Sequence, residues 1–212
     1  MLIALTMGSA ALAGPITIAS VTNANPVATG IGVAATTFSQ EGWTQATDYF
    51  GVSISAWLFG NFVNGAYLPS SGTAYLTSSL GLNVSQSFVF PDPTGSVATK
   101  VLLFSGLNLP GATYFLTLAS TDTLGGAWAS DLQQSSTILT ASGVTVANAK
   151  YSPQANVNSA NPPTSTFFQV NPTSHDFFEV VGTPVPEPSF VVLMGLGLFS
   201  LIARAKATFS VR

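Results

Sequence analysis

Cysteine is absent from the 212 residues, and only 6% of them are charged. The first absence removes thiol catalysis, Cys-ligated metal centres and disulfide stapling, so an exported domain built from this chain must rely on its apolar core. The second sets the chain apart from ordinary soluble domains, in which roughly 25% of residues carry charge. A single histidine, His175, leaves no second imidazole for the common zinc sites. No G-x-S-x-G elbow accompanies it, and no glycine fingerprint for a phosphate or dinucleotide occurs. Between the two ends only Lys100 and Lys150 oppose Glu41, Asp48, Asp92, Asp122, Asp131, Asp176 and Glu179. The body is therefore acidic and lacks the positive stripe that nucleic-acid binding requires. Helical periodicity is also missing before the C-terminal tail, which excludes a bundle.

The remainder is rich in Gly, Pro, Ser, Thr, Asn and Ala, with short β-prone pieces between turns. Ile16 to Val21 and Gly32 to Phe38 read as edge strands, and Gln40-Glu41-Gly42-Trp43 reads as a turn. In Tyr49 to Phe59, Phe50, Val52, Ile54 and Ala56 alternate with Gly51, Ser53 and Ser55, the period of a half-buried strand that also places Trp57 in the core. Further strands are expected at Gly72 to Leu80, Asn83 to Phe90 and Lys100 to Ser105, with Pro91 to Gly95 as a turn. Pro110-Gly111 predicts a hairpin from the Val101-Leu102-Leu103 strand into Ala112 to Ala119. Asp122 to Asp131 reads as a loop, Ile138-Leu139 and Val144 to Ala147 as weak strands, and Phe167 to Val170 and Asp176 to Val181 as closing strands. Many short strands with Gly/Pro turns predict an all-β fold, an antiparallel β-sandwich or jelly-roll-like domain over residues 14–183.

Few residues nominate chemistry. His175, beside Asp176 and near Glu179, is expected to be a loop histidine, with a metal ligand or general base as the sharper alternative. Asp92 reads as a turn former, and a Ca²⁺ site at Asp122 and Asp131 would need several converging oxygens. No pair among the seven body carboxylates is singled out for glycoside hydrolysis. Trp43 and Trp128 are the candidate glycan contacts, because sugar faces stack on aromatic rings while hydroxyls seek Asn, Gln and Asp. Asn83-Val84-Ser85 is an N-x-S acceptor pattern. No metal or cofactor is expected.

The ends are more informative. Met1 to Ala13 is apolar and closes on Ala11-Leu12-Ala13 before Gly14-Pro15, the small-residue pattern of a signal-peptidase site. Residues 1–13 are expected to be part of a signal peptide, with a first strand as the alternative. At the far end, Val185-Pro186-Glu187-Pro188-Ser189 precedes the uncharged run Phe190 to Ala203, and Arg204, Lys206 and Arg212 follow. As a helix, residues 190–203 would span about 21 Å, short of the roughly 30 Å hydrocarbon core. Prolines that break any incoming element and cations that snorkel to the cytoplasmic face favour a short transmembrane helix over a terminal core helix.

This order of motif, apolar run and basic end resembles the PEP-CTERM sorting domain, here over residues 184–212. The resemblance assigns the motif to Val185, Pro186, Glu187, Pro188 and Ser189, and the basic end to Arg204 and Lys206. It implies an exosortase-type membrane enzyme as partner, cleavage near Pro-Glu-Pro, transient residence in the inner membrane, and a final place at the cell surface or in the matrix. The strands between residues 37 and 131, with Gly126-Ala127-Trp128 as a Gly-Trp-type loop, also resemble the β-sandwich ectodomains that often precede this tail. Low charge and Ser/Thr/Asn richness agree with a non-enzymatic matrix protein associated with exopolysaccharide. A carbohydrate-binding module and a secreted glycan hydrolase are the alternatives.

Overall fold

The computed structural model describes residues 13–35, 37–63, 66–92, 97–132, 134–152, 169–170 and 174–185. Among them the chain forms only strands. These are β1 (Ile16–Thr22), β2 (Gly30–Val33), β3 (Phe38–Gln45), β4 (Tyr49–Gly60), β5 (Phe62–Val63) and β6 (Ala66–Tyr67). There follow β7 (Ser71–Ser78), β8 (Asn83–Val89), β9 (Thr99–Leu109), β10 (Ala112–Ala119) and β11 (Gly126–Ala129). The last are β12 (Thr137–Thr140), β13 (Val144–Val146), β14 (Lys150–Ser152), β15 (Gln169–Val170) and β16 (Phe178–Pro184). One seven-stranded sheet runs β12-β1-β16-β4-β11-β2 with β9 beside β4. The other runs β15-β14-β3-β10-β7-β8 with β13 beside β3. The strand pairs are antiparallel. The expected sandwich is therefore the fold of residues Pro15–Pro184.

The two sheets bury a shared aromatic and aliphatic core. Trp43, Tyr114, Leu76 and Leu116 come from one sheet, and Ile18, Ile54, Leu58, Trp128, Phe178 and Val180 from the other. Trp43 stacks on Tyr114 at 5.3 Å and on Phe178 at 5.8 Å between ring centroids, which ties the sheets together at their centre. Each such ring removes about 150–250 Å² from water, worth roughly 4–6 kcal/mol at 25 cal/mol per Å². In a chain with no disulfide, that burial is the main force holding the layers.

Alternation decides most of β4: Val52, Ile54, Ala56 and Leu58 are buried. Phe50 is an exception and is exposed, because the register against β9 slips between Tyr49 and Val52, where Gly51 takes a φ of +62°. The inserted residue moves Phe50 off the inner face. Trp57 is on the outer face and half-buried, not in the core, with the Lys100 ammonium 5.2 Å from its ring centroid.

Three further expectations fail. Gln40 to Trp43 is the middle of β3, not a turn. Gly126 to Ala129 is a fully buried strand, β11, paired between β4 and β2. The Pro110-Gly111 link is not a hairpin: β9 pairs with β4 in one sheet, and β10 pairs with β3 and β7 in the other. Side chains clamp this crossing. Tyr114 donates its hydroxyl proton to the Pro110 carbonyl at 2.6 Å, and the Gln45 amide donates to the Leu109 and Pro110 carbonyls at 3.1 and 3.3 Å. Burial, with Asp48 nearby, pushes the Tyr114 phenol up to about 12.

Candidate functional site

Two regions carry functional interest: the place where the chain leaves the domain, and a buried polar cluster. β16 lies inside its sheet, bonded to β1 on one side and β4 on the other. Its pairing reaches Pro184, opposite Tyr49, and Val185 is exposed immediately after it. Ile16 pairs with Gly182, so the chain enters and leaves the domain at one end of one sheet. Of the expected sorting residues, Val185 is the described one. Pro186, Glu187, Pro188, Ser189, Arg204, Lys206 and the expected helix over residues 190–203 lie outside the described residues, as does most of the expected signal segment. Among the described residues no helix is long and apolar enough to cross a membrane.

The polar cluster links β3 to the segment before β16. The inner face of β3 presents Ser39, Glu41, Trp43 and Gln45, three of them polar and all buried. Glu41 accepts the backbone N–H of Asp176 at 2.8 Å through Oε2 and that of Gly42 at 3.2 Å through Oε1. His175 Nδ1 stands 3.8 Å from Glu41 Oε1, an ion-pair distance. Ser39 donates to Asp176 Oδ2 at 2.5 Å. Asp131 accepts the His175 backbone N–H at 2.6 Å and the Ser136 hydroxyl at 2.8 Å. Burial holds the Glu41 carboxyl above the usual carboxylate range. Burial again, with the Glu41 charge added, raises Asp176 well above it. The Glu41 carboxylate beside it outweighs burial at His175 and raises its pKa.

His175 lies outside the strands, as expected of a loop histidine, but its side chain is mostly buried. It belongs to a latch whose partners lie 135 and 137 residues apart in sequence. The cluster joins elements of both sheets, but Glu41 and Asp176 have no exposed surface through which a substrate could reach them. Among the described residues no group of three or more His, Asp or Glu side chains is placed to hold a metal ion. Asp122, flagged with Asp131 for Ca²⁺, instead accepts the Ser71 backbone N–H at 2.7 Å.

The glycan contacts expected at Trp43 and Trp128 need correction. Trp43 is 1% exposed and Trp128 0%, so neither ring offers a face to a sugar. The Trp128 indole N–H donates to the Phe177 carbonyl at 2.8 Å, and the Trp43 N–H to Gln45 Oε1 at 3.0 Å. Two surface depressions, of about 320 and 440 Å³, lie at β7–β8 and beside β2 and β11, and among the described residues no acidic side chain lines either.

A family model for the PEP-CTERM protein-sorting motif matches residues 184–207. The tail is a PEP-CTERM sorting signal. The match starts at Pro184, the last paired residue of β16. A PEP-CTERM motif marks a chain for export, surface sorting and processing by an exosortase-type enzyme, and this chain is a β-rich surface protein that carries one. No curated protein and no solved structure matches the chain. The missed residues of the latch, Ser39, Glu41 and Asp176, had one local cue: a polar residue at every second position around Trp43, a strand period with the wrong polarity for a core.

Proposed function

We propose that this protein is a non-enzymatic component of the cell surface or extracellular matrix. An exosortase-type enzyme cuts it near Pro186 to Pro188, leaving the folded domain associated with exopolysaccharide. The observation that carries this reading is the junction at Pro184. β16 is paired with β1 up to Gly182 and with β4 up to Pro184, and the match to the sorting motif begins at Pro184. A cut beyond Val185 leaves every described strand intact, so processing would separate address from cargo without severing one. The low charge of the body, and the absence of carboxylates among the described residues that line the two depressions, support a structural role over hydrolysis.

The test uses two tags on the full chain, one inserted after the exposed Ser142 and one after Arg212. In the native host the internal tag is expected in the surface or matrix fraction and the terminal tag is not. Replacing Pro186, Glu187 and Pro188 together by alanine should keep both tags in the membrane fraction. Surface protein that retains both tags would refute processing. Release of reducing ends from the host's matrix polysaccharide by the processed domain would refute the non-enzymatic part.

A further inference from the structure

We propose that β8 is a docking edge for a second copy of this chain, pairing antiparallel with itself about Gln86. An edge strand offers a row of unpaired backbone groups, and proteins normally blunt such edges with brevity, charge, proline or bulges. The other edges here are blunted. β2, β12, β13 and β15 have only two to four residues. β9 is long but carries Lys100, shifts register against β4 at three points, and contains Gly106 at a φ of +72°. β8 differs in every respect. Its seven residues, Asn83-Val-Ser-Gln-Ser-Phe-Val89, hold no charge and no proline, and they pair with β7 in unbroken register.

The parity of that pairing fixes which groups face outward. Phe90 N–H bonds to the Ser70 carbonyl and Ser78 N–H to the Leu82 carbonyl, so even-numbered residues of β8 bond inward to β7. The N–H and C=O groups of Ser85, Ser87 and Val89 therefore point away from β7. All three residues are exposed, and among the described residues the Ser87 carbonyl accepts from the Gln86 side-chain amide, at 3.4 Å.

The sequence of β8 is its own complement. A two-fold axis at Gln86 sets Ser85 against Ser87 of the second copy, so that two narrow pairs form and exchange four backbone hydrogen bonds. It sets Val84, half-buried, against Phe88 of the second copy on the core-facing side, an apolar cross-strand pair. No charge is brought near another. Such an isologous contact closes as a dimer instead of growing into a fibre, and it joins two sheets into one.

The absence of native cysteine makes the test direct. The two Gln86 Cα atoms would face each other as a non-hydrogen-bonded pair about 4.5 Å apart, within disulfide range. The full chain carrying Gln86→Cys is produced in its host, and the membrane and surface fractions are oxidised. A disulfide homodimer is expected there, several-fold above the yield from Thr44→Cys, an exposed position on the central strand β3. Adding Ser85→Lys and Ser87→Lys, both at exposed sites, sets like charges opposite each other and should abolish the dimer while the monomer stays resistant to protease. No dimer at position 86, equal yield at position 44, or a dimer that survives the paired lysines would each overturn the proposal. So would an adduct with the mass of a different protein.

Discussion

If Trp128 is structural, its removal must appear in stability before it appears in any binding assay. Trp128→Ala empties a fully buried indole site and deletes the 2.8 Å bond to the Phe177 carbonyl. Truncating a buried aromatic to alanine costs about 3–5 kcal/mol. The lost bond adds about 1 kcal/mol and no more, because the Phe177 carbonyl keeps the Trp57 N–H at 3.1 Å. The expected loss is roughly 4–6 kcal/mol, comparable to the total stability of about 5–15 kcal/mol of many domains. Urea unfolding of the processed domain, followed by far-ultraviolet circular dichroism, should show the midpoint falling by about 2 M at an m-value near 2–3 kcal/mol/M. Trp57→Ala is the internal reference. It loses a half-buried ring and one cation–π contact of about 0.5–1 kcal/mol, so its midpoint should move by less than half as much. A Trp128→Ala protein as stable as the parent would refute the core assignment and reopen a ligand role.

The latch predicts an unusual pH profile. Glu41 and Asp176 are raised in the fold, so the folded state holds more protons than the unfolded chain once pH exceeds the ordinary carboxyl values of 4.5 and 3.8. Their contribution is fully present below that range and is lost as pH climbs through the folded values. His175 is also raised and adds stability below its ordinary 6.5 that disappears above its folded value. Urea midpoints should therefore fall from mildly acidic toward alkaline pH, and Asp176→Asn should flatten the slope. A midpoint that rises over this interval would contradict the buried cluster. Gly125→Ala combines a φ of +50° with a Cβ built 1.9 Å from the Val33 carbonyl oxygen. It should cost at least about 1–3 kcal/mol by the same unfolding assay, and a loss below that would mean β11 is not pinned there.

Much of this fold was legible because β-strands announce themselves by alternation. Val52, Ile54 and Ala56 point inward as their spacing requires. Where reading failed, a residue type was doing a different job from its usual one. Gly42 and Glu41 look like a turn, but Gly42 sits in a close-packed strand, where a Cβ would stand 3.1 Å from the Phe115 ring and 3.2 Å from the Tyr114 carbonyl oxygen. Gly126 looks like loop, but its missing Cβ admits the Phe90 ring, which would stand 2.3 Å away. Pro110-Gly111 is equally compatible with a hairpin and with a crossing between layers, and the choice is made by Gln45 and Tyr114. The latch was hidden because Ser39 and Glu41 meet Asp176 only after the sandwich closes. The sorting tail was legible for the opposite reason: its order of proline, acid, apolar run and base is local and needs no tertiary contact to be recognised.

The central claim is that the folded body ends where the address begins. Mass spectrometry of both termini of the protein recovered from the host's surface tests it most directly. The account predicts an intact stretch through Pro184, a new C-terminus within a few residues of Glu187, and loss of everything from Phe190 onward. Mature protein that still ends at Arg212, or one cut inside β16, would contradict it.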